Sequence, residues 1–159
     1  MNVLDYAMQM EADGKAYYER LAEETESKEI RNLFTLLAEA EQAHFDALMA
    51  RKNEAAFAQV ESSLLDDARN IFQRLMAMGG GGLRVDLDGY LHAVKAEEQS
   101  IGFYERSAGL EQSQEGRRLL HALADEERIH LNIVENIYDF VQSPRTFLAW
   151  REFSNLKEL

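Results

Sequence analysis

Two Glu-x-x-His motifs stand out in the chain: Glu41 with His44, and Glu127 with His130. A spacing of three on a helix puts both side chains on one face, where a carboxylate and an imidazole can reach the same metal ion. Glu is abundant here, so one such motif means little. The upstream acids sharpen the signal. Glu11 lies 30 residues before Glu41, and Glu97 lies 30 before Glu127. In an antiparallel hairpin, residues are level when they are equidistant from the turn. The midpoints fall at positions 26 and 112, beside Ser27 and Ser113. Each upstream Glu therefore stands level with its own Glu-x-x-His, about 15 residues or about 22 Å from the turn.

All six side chains lie on apolar stripes, where a solvated acidic face would not put them. Four ionised carboxylates in a bundle core cost several kcal/mol each unless paired. Arg and Lys are absent from these stripes, so no side-chain counter-ion is evident. Two divalent cations would neutralise four carboxylates. The balance survives oxidation of both ions if an oxide bridges them. Carboxylate and imidazole donors suit iron or manganese. The competing interpretation is a pair of satisfied core histidines beside partly protonated acids. Tyr18 and Tyr104 each follow an upstream Glu by seven residues, two helical turns along the same face. A phenol there can donate a hydrogen bond to a ligand carboxylate, or serve only as an amphipathic core residue. His92 and His121 have no acid three residues before them and read as surface or boundary residues.

The elements that must position these groups are helices. The chain has 159 residues, a single proline and no cysteine. One domain with one sizeable core is expected. The absence of Cys excludes disulfides, thiol catalysis, iron–sulfur clusters and Cys-ligated zinc. A net charge of −12 predicts no affinity for nucleic acid or anionic membranes. No basic leader and no long apolar run is present, so a cytoplasmic protein is expected.

An internal repeat organises the chain. Tyr17-Tyr18-Glu19-Arg20-Leu21-Ala22 recurs as Phe103-Tyr104-Glu105-Arg106-Ser107-Ala108, an offset of 86 residues. The same offset carries Glu11, Glu41 and His44 onto Glu97, Glu127 and His130. Each half reads as a hairpin of two long helices. Leu4, Ala7, Glu11, Gly14, Tyr18 and Leu21 mark one face of the first, and Ile30, Phe34, Leu37, Glu41, His44 and Leu48 one face of the second. The third helix should start near Asp86, and the fourth just after Ser113. The predicted architecture is all-α: hairpin 1 over 1–52, a crossover over 53–85, hairpin 2 over 86–141 and a tail over 142–159. In the crossover, Ser63 with Asp66 resembles a capping box, Leu64, Leu65, Ala68, Ile71, Phe72 and Leu75 mark a short amphipathic helix, and Gly79–Gly82 form a joint that could let hairpins swap between chains. In the tail, Phe147, Leu148, Trp150, Phe153 and Leu156 are expected to pack on the bundle or on a partner. Met8, Met10, Met49, Met76 and Met78 read as core or interface filler.

One Glu from each of two helices plus Glu-x-x-His from each of the other two is the ligand pattern of ferritin-like di-iron and di-manganese bundles. Met10 through Ala22, then Leu33-Phe34 and Leu37-Ala38 leading to Glu41 and His44, resembles the first hairpin of the rubrerythrin-like branch of that superfamily. Lys95-Ala96-Glu97 through Tyr104, then Ala124 through His130, resembles its second hairpin. Phe147 through Leu156 resembles the tail of short members.

The resemblance implies a ferritin-like four-helix bundle holding two iron ions, with manganese or mixed metals as alternatives. It implies that Glu41 and Glu127 bridge the ions, with Glu11, Glu97, His44 and His130 as terminal ligands. Family members reduce hydrogen peroxide, or oxidise iron with oxygen. Two departures matter. Rubrerythrins proper carry a further Glu, linked to peroxide reduction, where this chain has Ser100. They also carry a Cys-ligated rubredoxin domain, so electrons here must come from a separate donor protein. The expected function is a di-iron oxidoreductase acting on peroxide or oxygen, in a homodimer. The alternative is iron binding, storage or detoxification without sustained turnover.

Overall fold

The structure is a computed structural model that describes residues 2–53, 64, 66–68, 70–71 and 87–142. Helix α1 runs Val3–Glu24, α2 Lys28–Lys52, α3 Leu87–Leu110 and α4 Gln114–Gln142. The expected starts near Asp86 and after Ser113 hold to within a residue. Residues 64, 66–68 and 70–71 of the crossover are helical. The glycine joint, the tail, Ser63, Leu65, Phe72, Leu75, Met76 and Met78 lie outside the described residues.

The two hairpins are built alike because the same residue types recur at their turns. Ser27 Oγ accepts from the Ile30 amide at 3.2 Å, and Ser113 Oγ from the Gly116 amide at 2.9 Å. Each cap satisfies one amide that a helix start leaves without an intrahelical partner. An arginine clamps each turn from inside. Arg31 donates to the carbonyls of Ala22 and Thr25, while Arg117 donates to those of Glu111 and Gln112.

The hairpins pack so that α1 lies beside α3 and α2 beside α4. Both cross-hairpin pairs are antiparallel. Tyr18 reaches Glu97 and Tyr104 reaches Glu11, so residue numbers rise on α1 as they fall on α3. His44 meets Glu127 and His130 meets Glu41 in the same sense. The bundle thus has a pseudo-two-fold axis.

Two apolar clusters fill it, one toward each end. One gathers Leu21, Ile30, Leu33, Phe34, Leu37, Tyr90, Ile133, Ile137 and Phe140, joined by Leu64, Ala68 and Ile71 of the crossover. The other gathers Ala7, Met8, Leu48, Tyr104, Leu119, Leu120 and Leu123. Of the methionines read as filler, Met8 is buried and Met49 exposed. Burying Leu, Ile or Phe side chains stabilises the fold by about 1.5–3 kcal/mol each before ordering costs. Between the clusters lies a polar layer, and it contains the six residues singled out above. No helix among the described residues is long and apolar enough to cross a membrane.

Candidate metal centre

The structure brings Glu11, Glu41, His44, Glu97, Glu127 and His130 together, one carboxylate from α1 and α3 and one Glu-x-x-His pair from α2 and α4. All six are at least 95% buried. Donor atoms of Glu41, His44, Glu127 and His130 lie within 4.8 Å of one another. The two imidazole rings stack almost parallel, with centroids 5.1 Å apart and planes at 7°.

The layer follows the pseudo-two-fold. His44 Nδ1 lies 3.0 Å from Glu127 Oε1, and His130 Nδ1 lies 3.0 Å from Glu41 Oε1. His44 Nδ1 is also 3.3 Å from Glu11 Oε2, and His130 Nδ1 is 3.6 Å from Glu97 Oε1. Each Glu-x-x-His histidine therefore faces its own hairpin's upstream Glu and the other hairpin's motif Glu. Both rings turn Nδ1 toward these carboxylates.

The counter-charge that the stripes seemed to lack is supplied by the histidines. Burial opposes their protonation, but the surrounding carboxylates outweigh it. Glu11 and Glu127 raise His44 to about 9, and Glu127, Glu41 and Glu97 also raise His130 well above the usual imidazole range. The carboxylates divide into two kinds. Burial and the charges of Glu11 and Glu127 push Glu41 well above the ordinary carboxylate range; burial and the charges of Glu97 and Glu11 do the same to Glu127. Burial also works against ionised Glu11, yet His44 and a hydrogen bond with Glu41 bring it down to about 2. For Glu97, hydrogen bonds with Glu127 and His130 likewise overcome burial and lower its pKa. Within each hairpin the motif Glu is thus pushed toward its protonated form and the upstream Glu toward its ionised form.

Hydrogen bonding does not exhaust the donor set. Glu11 Oε2, Glu97 Oε2, Glu127 Oε2 and His130 Nε2 are buried and have no hydrogen-bond partner among the described residues. Unpartnered carboxylate oxygens beside inward-facing imidazoles, all from rigid helices, fit a pair of divalent cations in number, charge and donor type.

Both tyrosines hold carboxylates of the layer, but across the bundle rather than along their own helix. Tyr18 donates to Glu97 Oε1, and Tyr104 donates to Glu11 Oε1 at 2.5 Å. Burial and the neighbouring carboxylates, Glu97 for Tyr18 and Glu11 for Tyr104, push both phenols well above their ordinary pKa and keep them as donors. His92 and His121 are exposed, as expected.

One residue's role is invisible in the sequence. A Cβ on Gly14 would sit 3.1 Å from Glu41 Oε2 and 3.3 Å from Glu41 Cδ. Gly14 thus lets α1 pass closely over the Glu41 carboxyl. Its only sequence signal is a glycine on an otherwise larger stripe. Ser100, at the equivalent place on α3, is half-buried.

No curated protein and no solved structure matches the chain. A family model does: rubrerythrin, over residues 2–138. That span takes in both hairpins and all six residues of the polar layer, so the chain belongs to the rubrerythrin family.

Proposed function

We propose that the chain is a di-iron oxidoreductase that reduces hydrogen peroxide or oxidises Fe(II) with oxygen. The observation that supports this most is the buried layer of four carboxyls and two histidines with unpartnered donor oxygens. Glu11, Glu41, His44, Glu97, Glu127 and His130 would hold the two ions. Iron held there would supply two-electron redox chemistry toward the oxidant. Manganese suits the same donors.

The chain's own residues prepare that chemistry. Tyr18 and Tyr104 fix Glu97 and Glu11, so neither carboxylate needs to reorient when charge changes nearby. The apolar clusters on either side exclude bulk water and keep the layer's electrostatics strong. Glu41, Glu127, His44 and His130 can each carry a proton, so the layer can exchange protons as its charge changes. Ser100 gives no carboxylate at the position where rubrerythrins proper have one. These 159 residues contain no cysteine, so a rubredoxin-type electron donor would lie outside them.

The test is an anaerobic Fe(II) titration followed by mixing with peroxide or with oxygen. Two irons per chain, oxidised much faster by peroxide, support peroxide reduction; faster reaction with oxygen supports iron oxidation. Iron accumulation far beyond two per chain would favour storage instead. A chain that takes up no iron in the layer would overturn the proposal.

A further inference from the structure

Between α1 and α3 a cleft of about 540 Å³ leads from the surface to the polar layer. Its outer wall carries Tyr6, which is 51% exposed, packed on Phe103 with ring centroids 4.8 Å apart. Met10 and Tyr17 continue that apolar lining. At its inner end stand the buried side chains of Glu41, Glu97 and Tyr18. Glu97 is 4% exposed, and its Oε2, itself buried, has no hydrogen-bond partner among the described residues, so an unsatisfied acceptor lies behind the cleft's inner end.

The cleft straddles the pseudo-two-fold axis but does not obey it. Glu41 and Glu97 line it, whereas their repeat mates Glu127 and Glu11 do not. The break in symmetry falls where Gly14 faces Ser100. With no side chain, Gly14 leaves the Glu41 carboxyl within reach, and even a Cβ would press on it. Clefts of about 300–1,000 Å³ ordinarily hold organic ligands, far more than a diatomic or a water needs.

We propose that this cleft is the route by which external ligands reach the Glu41–Glu97 half of the site. It admits an oxygen ligand carrying one aromatic ring, such as a small aryl carboxylate, and Gly14 sets its width. The ligand's oxygen end lies beside Glu97 and its ring lies against Tyr6, Met10 and Phe103. The two metal positions are therefore inequivalent: the one beside Glu97 and His130 exchanges ligands through the cleft. This rests on the metal-pair proposal above. A second, smaller opening of about 310 Å³ between α1 and α2, with Ala16 and Phe45 on its wall, touches Glu11 and Glu41 and is the competing route.

The test uses full-length protein loaded with Co(II), whose visible spectrum reports bound ligands, with azide and benzoate as probes. Two Co(II) per chain in the wild type upholds the metal pair, and its absence overturns that proposal first. With the pair loaded, benzoate should perturb the spectrum of the wild type. Gly14→Val should weaken benzoate by about tenfold or more while azide changes much less, because added bulk excludes the larger probe. Ser100→Leu fills the cleft from α3 and should act in the same direction, which keeps the test decisive if Gly14→Val disturbs Glu41 and loads poorly. Ala16→Leu, on the competing opening, should leave both probes unchanged. Failure of benzoate to bind the loaded wild type would overturn the cleft proposal. So would loss of benzoate binding in Ala16→Leu with Ser100→Leu unaffected.

Discussion

Loading the site with metal should release about four protons per pair of divalent ions at pH 7. The number follows from the polar layer. Glu41 and Glu127 hold their protons because burial and neighbouring carboxylates push them well above the ordinary range. His44, raised to about 9, and His130, also raised well above the usual imidazole range, favour the protonated form at pH 7. A ligand carboxylate or imidazole must shed its proton before it binds a cation, so these four groups each release one. Glu11 and Glu97 are already ionised and contribute none. By linkage, the affinity should rise with pH by about two decades per ion per pH unit near neutrality. The assay is anaerobic titration of weakly buffered protein with Fe(II) or Co(II) beside a pH indicator, repeated by calorimetry in two buffers of different ionisation enthalpy. Release near zero with two ions bound would refute the argument, because the ions would then lie outside the layer or the layer would already be ionised.

Glu41→Gln should remove the paired metal site while leaving the metal-free melting temperature within a few degrees of wild type, since Gln mimics the protonated carboxyl; elemental analysis and calorimetry check this together. Tyr18→Phe and Tyr104→Phe should each weaken metal binding by about 10- to 100-fold through loss of the hydrogen bond to Glu97 or Glu11, read by competition with a chelator. The metal-free protein should lose stability as pH rises from 6.5 toward 9. His44 is raised on folding, so its contribution of about 3 kcal/mol is complete below 6.5 and gone above about 9. Glu11, brought down to about 2, acts oppositely, and its contribution fades as pH falls below 4.5. Thermal melts across pH would contradict this by showing a maximum near pH 9. Phe34→Ala should destabilise by about 3–5 kcal/mol, because the fully buried ring would leave a cavity between Tyr18 and Tyr90; denaturant unfolding measures it.

The helices and their register are legible in the sequence because both are local or nearly so. Apolar residues recurring every three or four positions mark a face, and Ser27 and Ser113 mark the starts of α2 and α4. The midpoint argument places Glu11 level with Glu41 because the turn lies symmetrically between α1, ending at Glu24, and α2, starting at Lys28. The 86-residue offset then supplies the second half of the layer without further information. The same offset carries Arg31 onto Arg117, yet their role in clamping the turns depends on backbone carbonyls that no residue pattern displays.

What the sequence determined by itself is therefore the composition of the polar layer: six side chains on four helical stripes, two by two. Only the tertiary structure decided how the two hairpins face one another. Antiparallel packing of α1 on α3 sends Tyr18 to Glu97 and Tyr104 to Glu11, across the axis instead of along the helix. It brings His44 and His130 into a stack and, by crowding four carboxyls around them, sets which acids keep a proton. It also lays Gly14 over Glu41 and opens one half of the site to the α1–α3 cleft. Periodicity fixes which face a side chain occupies. Distances between faces, and the charges that depend on them, arise only when distant segments meet.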